Sequence, residues 1–183
     1  ADLKGKRVAL DEPGSATLTD ERLVLAAYGV KESDIKPEYI KPGYASYRLK
    51  DGFLDAFFLV GGAPASVVSE LASSGAGIEL VPLAGPEAQA LLKSSPWFAI
   101  DGIPAGTYKD VAGVQTLAIG TQLVTSTKID NETVYQITKT MFSDAAQKAL
   151  RAGHAKGRFI IKDNALKGVG IPLHPGAERF YKE

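Results

Sequence analysis

The sequence predicts an α/β fold, a mostly parallel sheet flanked by helices, on three observations. Short β-prone runs and helix-patterned segments take turns along the first half of the chain. The loops between them are brief and rich in Gly and Pro, as strand-to-helix connections in such folds are. One run, Phe53 to Val60, is nearly continuous in apolar residues, the pattern of a strand covered on both faces.

The elements follow in order. Val8 to Leu10 is a short strand, entered from the basic run Lys4 to Arg7. A turn on Pro13 and Gly14 leads to Ser15 and Thr17, hydroxyls placed where a helix starts, and Thr17 to Asp20 has capping-box spacing. Leu18 to Tyr28 reads as that helix, stopped by Gly29. Pro37 to Ile40 is a second strand, Tyr44 to Lys50 a short helix and Phe53 to Val60 the strongest strand. Gly61 and Gly62 end it, and Pro64 suits the first position of a helix to Ser73. A strand over Ile78 to Leu83 and a helix from Pro86 to Leu92 complete the alternation. The pattern then changes. Phe98 to Val111 reads as a Gly/Pro-rich loop and Val114 to Ser126 as a long β-prone run, with Gly120 marking a bend or a close backbone approach. Helices follow at Asn131 to Phe142, with an apolar stripe of Val134, Ile137, Met141 and Phe142, and at Asp144 to Ala152. The expected core of the first part is Val8, Leu10, Leu25, Phe57, Leu59, Val67, Leu71, Leu80 and Leu91.

Composition narrows the function. Apolar residues make up 45% and charged residues 23% of the 183, which fits a folded globular chain rather than a disordered one. Lys plus Arg equals Asp plus Glu at 21 each, and no basic block with interleaved aromatics occurs, so a nucleic-acid partner is not expected. There is no cysteine, which removes disulfides, thiolate metal sites and cysteine nucleophiles. No signal-peptide pattern and no bilayer-spanning apolar run can be read. His154 and His174 lack neighbours at metal-ligand spacing. His154 follows a helix-ending Gly, where a cation suits the helix dipole, and His174, between Leu173 and Pro175, is expected to make a local structural hydrogen bond. Ser15 has neither a nucleophile elbow nor a P-loop around it, and Asp11 and Glu12 are expected to be solvated or salt-bridged. No catalytic residue, metal site or cofactor is expected.

Binding has more support. Parallel sheets take ligands beyond the carboxyl ends of their strands. Three loops are expected there: Pro13 to Thr17, Pro42 to Tyr44 and Gly61 to Pro64, each leading to a helix N-terminus with free N–H groups. Ordinary chain turning explains any one of them; three on one edge suggest a small-anion site. With no Lys or Arg inside the loops, a carboxylate is favoured over a polyphosphate. The expected ligand-binding residues are Gly14, Ser15, Ala16 and Thr17, with Tyr44, and with Gly61, Gly62 and Ala63.

Five motifs carry a resemblance along the whole chain: Asp2-Leu-Lys-Gly-Lys-Arg-Val8 with Pro13-Gly-Ser-x-Thr17, Leu49-Lys-Asp-Gly-x-Leu-Asp-Ala56, Gly61-Gly-x-Pro64, Ile103-Pro-Ala-Gly-Thr-Tyr-Lys109, and Pro172-Leu-His-Pro-Gly-Ala-x-Arg-Phe-Tyr-Lys182. The chain resembles the TAXI family of solute-binding proteins of TRAP-type transporters, especially members first described as immunogenic surface antigens. The resemblance implies a periplasmic protein with a type II periplasmic-binding-protein fold. It implies that a small carboxylate, glutamate or a related acid, is held between two lobes and delivered to the transporter's membrane subunits. Ala16 stands where the family commonly has a second Gly.

Mapped on that family, residues 1–112 are expected to be the second lobe, 113–126 the strand crossing between lobes, and 127–183 the C-terminal part of the first lobe. The chain is then expected to be a fragment lacking an N-terminal half-lobe, with homo-oligomers forming through the surfaces so exposed. An α/β enzyme acting on a small carboxylate derivative is the competing expectation.

Overall fold

Strand β1, Arg7–Leu10, is the centre of the sheet. The computed structural model describes residues 2–183 and divides into two units, Ala1–Ala118 and Ile119–Glu183. In the first, β1 pairs in parallel with β2, Lys36–Tyr39, from Arg7 opposite Lys36 to Leu10 opposite Tyr39. On its other side it pairs in parallel with β3, Ala56–Phe57. The order is therefore β2-β1-β3.

Alternation along β1 builds two cores. Val8 and Leu10 pack with Leu18 and Leu25 of helix α1, Ala16–Ala27. Ala9 packs with Leu54 and with Ala45 of helix α2, Pro42–Lys50, which covers the other face. Burial of this kind contributes about 1.5–3 kcal/mol per large aliphatic side chain. Arg7 clamps the start of β3: its guanidinium grips Asp55 at 2.6 and 3.0 Å, and its backbone N–H adds a third bond at 2.8 Å. Hydrogen bonding to Arg7 holds the Asp55 carboxyl well below the usual carboxylate range.

The two-sided strand is thus β1, and the run Phe53 to Val60 departs from expectation. Only Ala56–Phe57 joins the ladder, at an edge of the sheet, and Phe53 and Val60 are exposed. The run is apolar for another reason: Phe57, Phe58 and Leu59 pack against three different hydrophobic clusters. Of the expected core, Val8, Leu10, Leu25, Leu71 and Leu91 are buried, while Phe57, Leu59, Val67 and Leu80 are half-buried. Val68, not Val67, faces inward from helix α3, Ser66–Ser73, which begins two residues after Pro64.

Two further expectations are corrected. Ile78 to Leu83 is not a strand; Ile78 and Leu80 pack beside Val68, Tyr108 and Val111, so burial rather than a ladder explains their apolar character. After helix α4, Pro86–Ser94, the segment expected as a loop begins with strand β4, Phe98–Ile103. It pairs with β5, Val114–Ile119, in a two-stranded sheet. Phe98 is buried and Ile100 half-buried between exposed neighbours, a period-2 signal hidden by Gly102 and Pro104. β5 ends before Gly120, and Leu123 and Val124 beyond it are exposed.

The second unit is helical. Helix α5, Asn131–Met141, is capped by Asp130, whose Oδ1 accepts from the Thr133 N–H at 2.9 Å. Helix α6, Asp144–Gly153, is capped by Ser143. An unforeseen helix α7, Pro175–Lys182, packs on α5. Because of it the buried face of α5 is Val134, Tyr135 and Thr138, and Ile137 of the expected stripe is 50% exposed. Phe142 stacks on Phe180 at 5.5 Å, and Arg179 lies 3.6 Å from the Tyr135 ring centre. His174 caps α7 through Nδ1, which accepts from the Gly176 N–H at 3.2 Å, leaving Nε2 to donate to the Ile129 carbonyl at 3.1 Å. His174 makes the local bond expected of it, and the Nδ1 of His154 accepts from the Lys156 N–H at 3.0 Å.

Gly176 is where α7 meets α5. A Cβ there would run into the Asn131 carbonyl oxygen and come within 2.8 Å of the Tyr135 nitrogen, both backbone atoms that cannot step aside. Gly176→Ala is expected to cost about 1–3 kcal/mol, as overpacking does, and to loosen α7 first. Amide exchange at Glu178 to Lys182 checks this; unchanged protection there would show that the contact yields freely.

Among the described residues, no helix is long and apolar enough to cross a membrane.

Candidate functional site

All three strands of the parallel sheet end at the same edge, with the loops after Leu10, Tyr39 and Phe57 leaving from it. The order β2-β1-β3 means that the chain leaves β1 toward one side and comes back on the other. That puts the topological switch point between β1 and β3, where open α/β sheets receive ligands. The loops on either side of it contain Gly14 to Thr17 and Gly61 to Ala63.

The first loop is built tightly. Gly14 has φ +88°, with open space around it, so backbone conformation and not crowding calls for glycine. The Ser15 N–H closes the turn on the Glu12 carbonyl at 3.0 Å. Ser15 is the N-cap of α1, its Oγ accepting from the Leu18 N–H at 3.0 Å. Of the two hydroxyls expected to start the helix, Ser15 therefore does so, and Thr17 lies in the first turn. Helix geometry gives the N–H groups of Ala16 and Thr17 no intrahelical acceptor, and the positive end of the helix dipole adds to them. Ala16 is the first helical residue, a position where the freedom of a glycine brings no advantage.

The second loop adds a charge that stands one residue before the expected stretch. Lys41 is the N-cap of α2, and its Nζ lies 3.4 Å from Glu12 Oε2. This ion pair ties the β2 loop to the β1 loop and uses Lys41 to offset Glu12. Tyr44, in the first turn of α2, is 71% exposed. The third loop differs from expectation. Gly61 and Gly62 are exposed and Ala63 is half-buried, but α3 starts only at Ser66. The N–H of its N-cap, Ala65, is already taken by the buried Tyr108 hydroxyl at 2.9 Å. Gly61 to Ala63 can thus offer backbone groups to a ligand but not a helix N-terminus.

Behind the first loop lies a residue that sequence reasoning passed over. Glu21, on α1, is 2% exposed. Its Oε2 accepts from the Asp11 N–H at 2.9 Å, at the point where β1 becomes the loop. Its Oε1 has no hydrogen-bond partner. Burial pushes the carboxyl up to about 7, and the nearby Asp11 and Asp20 charges add to the rise against the opposing Asp11 hydrogen bond. The signal was present: Glu21 lies three residues after Leu18 and four before Leu25, on their buried face.

Two surface cavities lie elsewhere. One of about 460 Å³ is lined by Arg22, Leu25, Gly29 and Glu32, and one of about 620 Å³ by Glu132, Gln136, Ile137 and Met141. The three loops instead form an open edge, one wall of a site. Among the described residues no group of three or more His, Asp or Glu side chains could hold a metal ion. In comparison with known protein families, the chain matches the NMT1-like family over residues 1–183.

Proposed function

This chain belongs to the NMT1-like family, a family of solute-binding proteins, and from that premise we propose that it captures a small carboxylate at the edge formed by the loops after β1, β2 and β3. The observation that carries the proposal is the strand order β2-β1-β3, which sends the chain out from the same edge on either side of the switch point, toward Gly14–Thr17 after β1 and Gly61–Ala63 after β3. The ligand groups are the N–H groups of Ala16 and Thr17, the Ser15 and Thr17 hydroxyls, and backbone groups of Gly61, Gly62 and Ala63. Tyr44 closes over them from α2. Hydroxyl and backbone donors suit a carboxylate because they satisfy its lone pairs without a second buried charge. Pairing of Lys41 with Glu12 keeps the fixed charge of the edge low, which favours a monoanionic group over a polyphosphate.

A membrane transporter is the partner that the family implies. The TAXI resemblance makes it a TRAP-type transporter, the compartment the periplasm and the solute glutamate or a related acid. In that reading residues 1–112 are one lobe of the solute-binding fold, 113–126 the strand crossing between lobes, and 127–183 part of the other lobe.

The test is calorimetry with glutamate, 2-oxoglutarate and uncharged solutes of similar size. Ser15 is a poor position to mutate, because its loss also removes the α1 cap at about 1 kcal/mol. Thr17→Val keeps the cap and is expected to weaken acid binding by about 1.5–3 kcal/mol, the value of a hydrogen bond to a charged group. Unchanged affinity in Thr17→Val takes this loop out of the site, and a preference for uncharged solutes overturns the carboxylate assignment.

A further inference from the structure

Glu21 has no part in the binding groups above, yet it touches the loop that carries them. Its Oε2 holds the Asp11 N–H at 2.9 Å. From Asp11 the loop runs through the Glu12–Ser15 turn to the Ser15 cap. One buried carboxyl oxygen thus anchors one end of the loop, and the other oxygen is buried without a partner. Buried polar atoms are ordinarily hydrogen-bonded, so this one calls for an explanation. We propose that Glu21 is a proton-responsive positioning residue, whose protonation state sets the geometry of the Asp11–Thr17 loop and, through it, the affinity of that loop for an anion. The second part rests on the carboxylate reading above.

The electrostatic surroundings point the same way. β1 ends at Leu10, next to Asp11 and Glu21, and carries Arg7 at its other end, where Asp55 occupies it. On α1 itself Asp20 bears on Glu21, and the Asp20 carboxylate accepts from the Trp97 indole N–H at 3.4 Å. Helix α4, packed on α1, brings Glu87 beside Tyr28 at the far end and an exposed Lys93. Across the loop, Glu12 and Lys41 offset each other. Asp11 and Asp20 both oppose ionisation of Glu21, and burial places its titration in the neutral range. Ionised, Glu21 puts a buried negative charge behind the loop and repels an anion in front of it. When an anion arrives, Glu21 takes one proton from water, so the charge brought in is balanced. Binding therefore draws protons and strengthens as the pH falls.

The first experiment needs no ligand. The Glu21 side-chain carboxyl carbon and the Asp11 to Thr17 amides are followed by NMR through a pH series. A shared midpoint near neutral pH, lost from the loop amides in Glu21→Gln, is the expected result. A Glu21 that titrates in the ordinary carboxylate range, or loop amides that titrate alike in both proteins, overturns the proposal. The second experiment is calorimetry with glutamate and 2-oxoglutarate at about pH 6 and about pH 8. The native protein is expected to bind several-fold more weakly at the higher pH, and Glu21→Gln equally at both. Glu21→Leu, which deletes the acceptor for Asp11, is expected to bind weakly at both, and rescue by Gln separates positioning from general loss of structure. An equal pH dependence in native protein and Glu21→Gln overturns the proposal. If neither acid binds while Glu21 and the loop titrate together, the carboxylate reading falls and the link from Glu21 to the loop stands.

Discussion

Glu21→Gln is expected to gain stability over the native protein as the pH rises from about 4 to above 8, by ~3 kcal/mol in total. The Glu21 carboxyl titrates at about 7 in the folded chain, against 4.5 for an unperturbed glutamate. Below the lower value both folded and unfolded chains hold the proton, and the group contributes nothing to the pH dependence. Between the two values the unfolded chain releases its proton while the fold keeps it, so stability falls with rising pH. Above the upper value the fold has to bury the charge, and the loss is complete. A difference of about 2.5 pKa units is worth about 3 kcal/mol. Gln cannot ionise and escapes this loss, although its amide leaves buried donors unmatched at a cost that does not change with pH. The observable is the difference between the urea unfolding free energies of the two proteins, measured across the pH range. A difference that stays flat would mean that Glu21 reaches water in the native state.

The same residue shows where the sequence was legible and where it was not. Gly14, Ser15 and Leu18 have the spacing of a turn and a capped helix, and the structure places them so because those signals are local. The alternation of β1, α1, β2 and α2 was legible for the same reason. Glu21 was passed over, because a carboxylate on a helix is ordinarily solvated, although its spacing puts it on the face of Leu18 and Leu25. Its burial is decided by β1 and the loop closing over it, which is a tertiary fact. Phe53 to Val60 misled in the opposite sense. Apolar continuity marks burial but does not say against what, and here three clusters share the run. Strand β4 was hidden by Gly102 and Pro104, which are loop signals even where a strand partner overrides them. Lys41 lay one residue before the stretch in which cations were sought, and only the folding of α2 against the β1 loop brings it to Glu12.

Leu10→Ala is expected to cost about 2–5 kcal/mol, the range for deleting a fully buried Leu side chain. Leu10 is 0% exposed and packs among Val8, Leu18, Leu25, Val30 and Ile35. Its backbone is held as well, the carbonyl accepting from the Ile40 N–H at 3.0 Å. A central strand paired on both sides cannot shift to fill the space left by the side chain, so little of the cavity relaxes away. Phe57→Ala makes the sharper comparison. By sequence Phe57 belongs to the most apolar run in the chain, and a buried Phe→Ala change costs as much as a Leu→Ala change or more. In the structure Phe57 is half-buried on edge strand β3. Phe57→Ala is therefore expected to be the milder of the two. Urea unfolding of both variants, read by circular dichroism, decides between the architectures. A Phe57→Ala loss exceeding that of Leu10→Ala would make β3 the two-sided strand and move the switch point, and the proposed binding edge with it, away from the loops after β1 and β3.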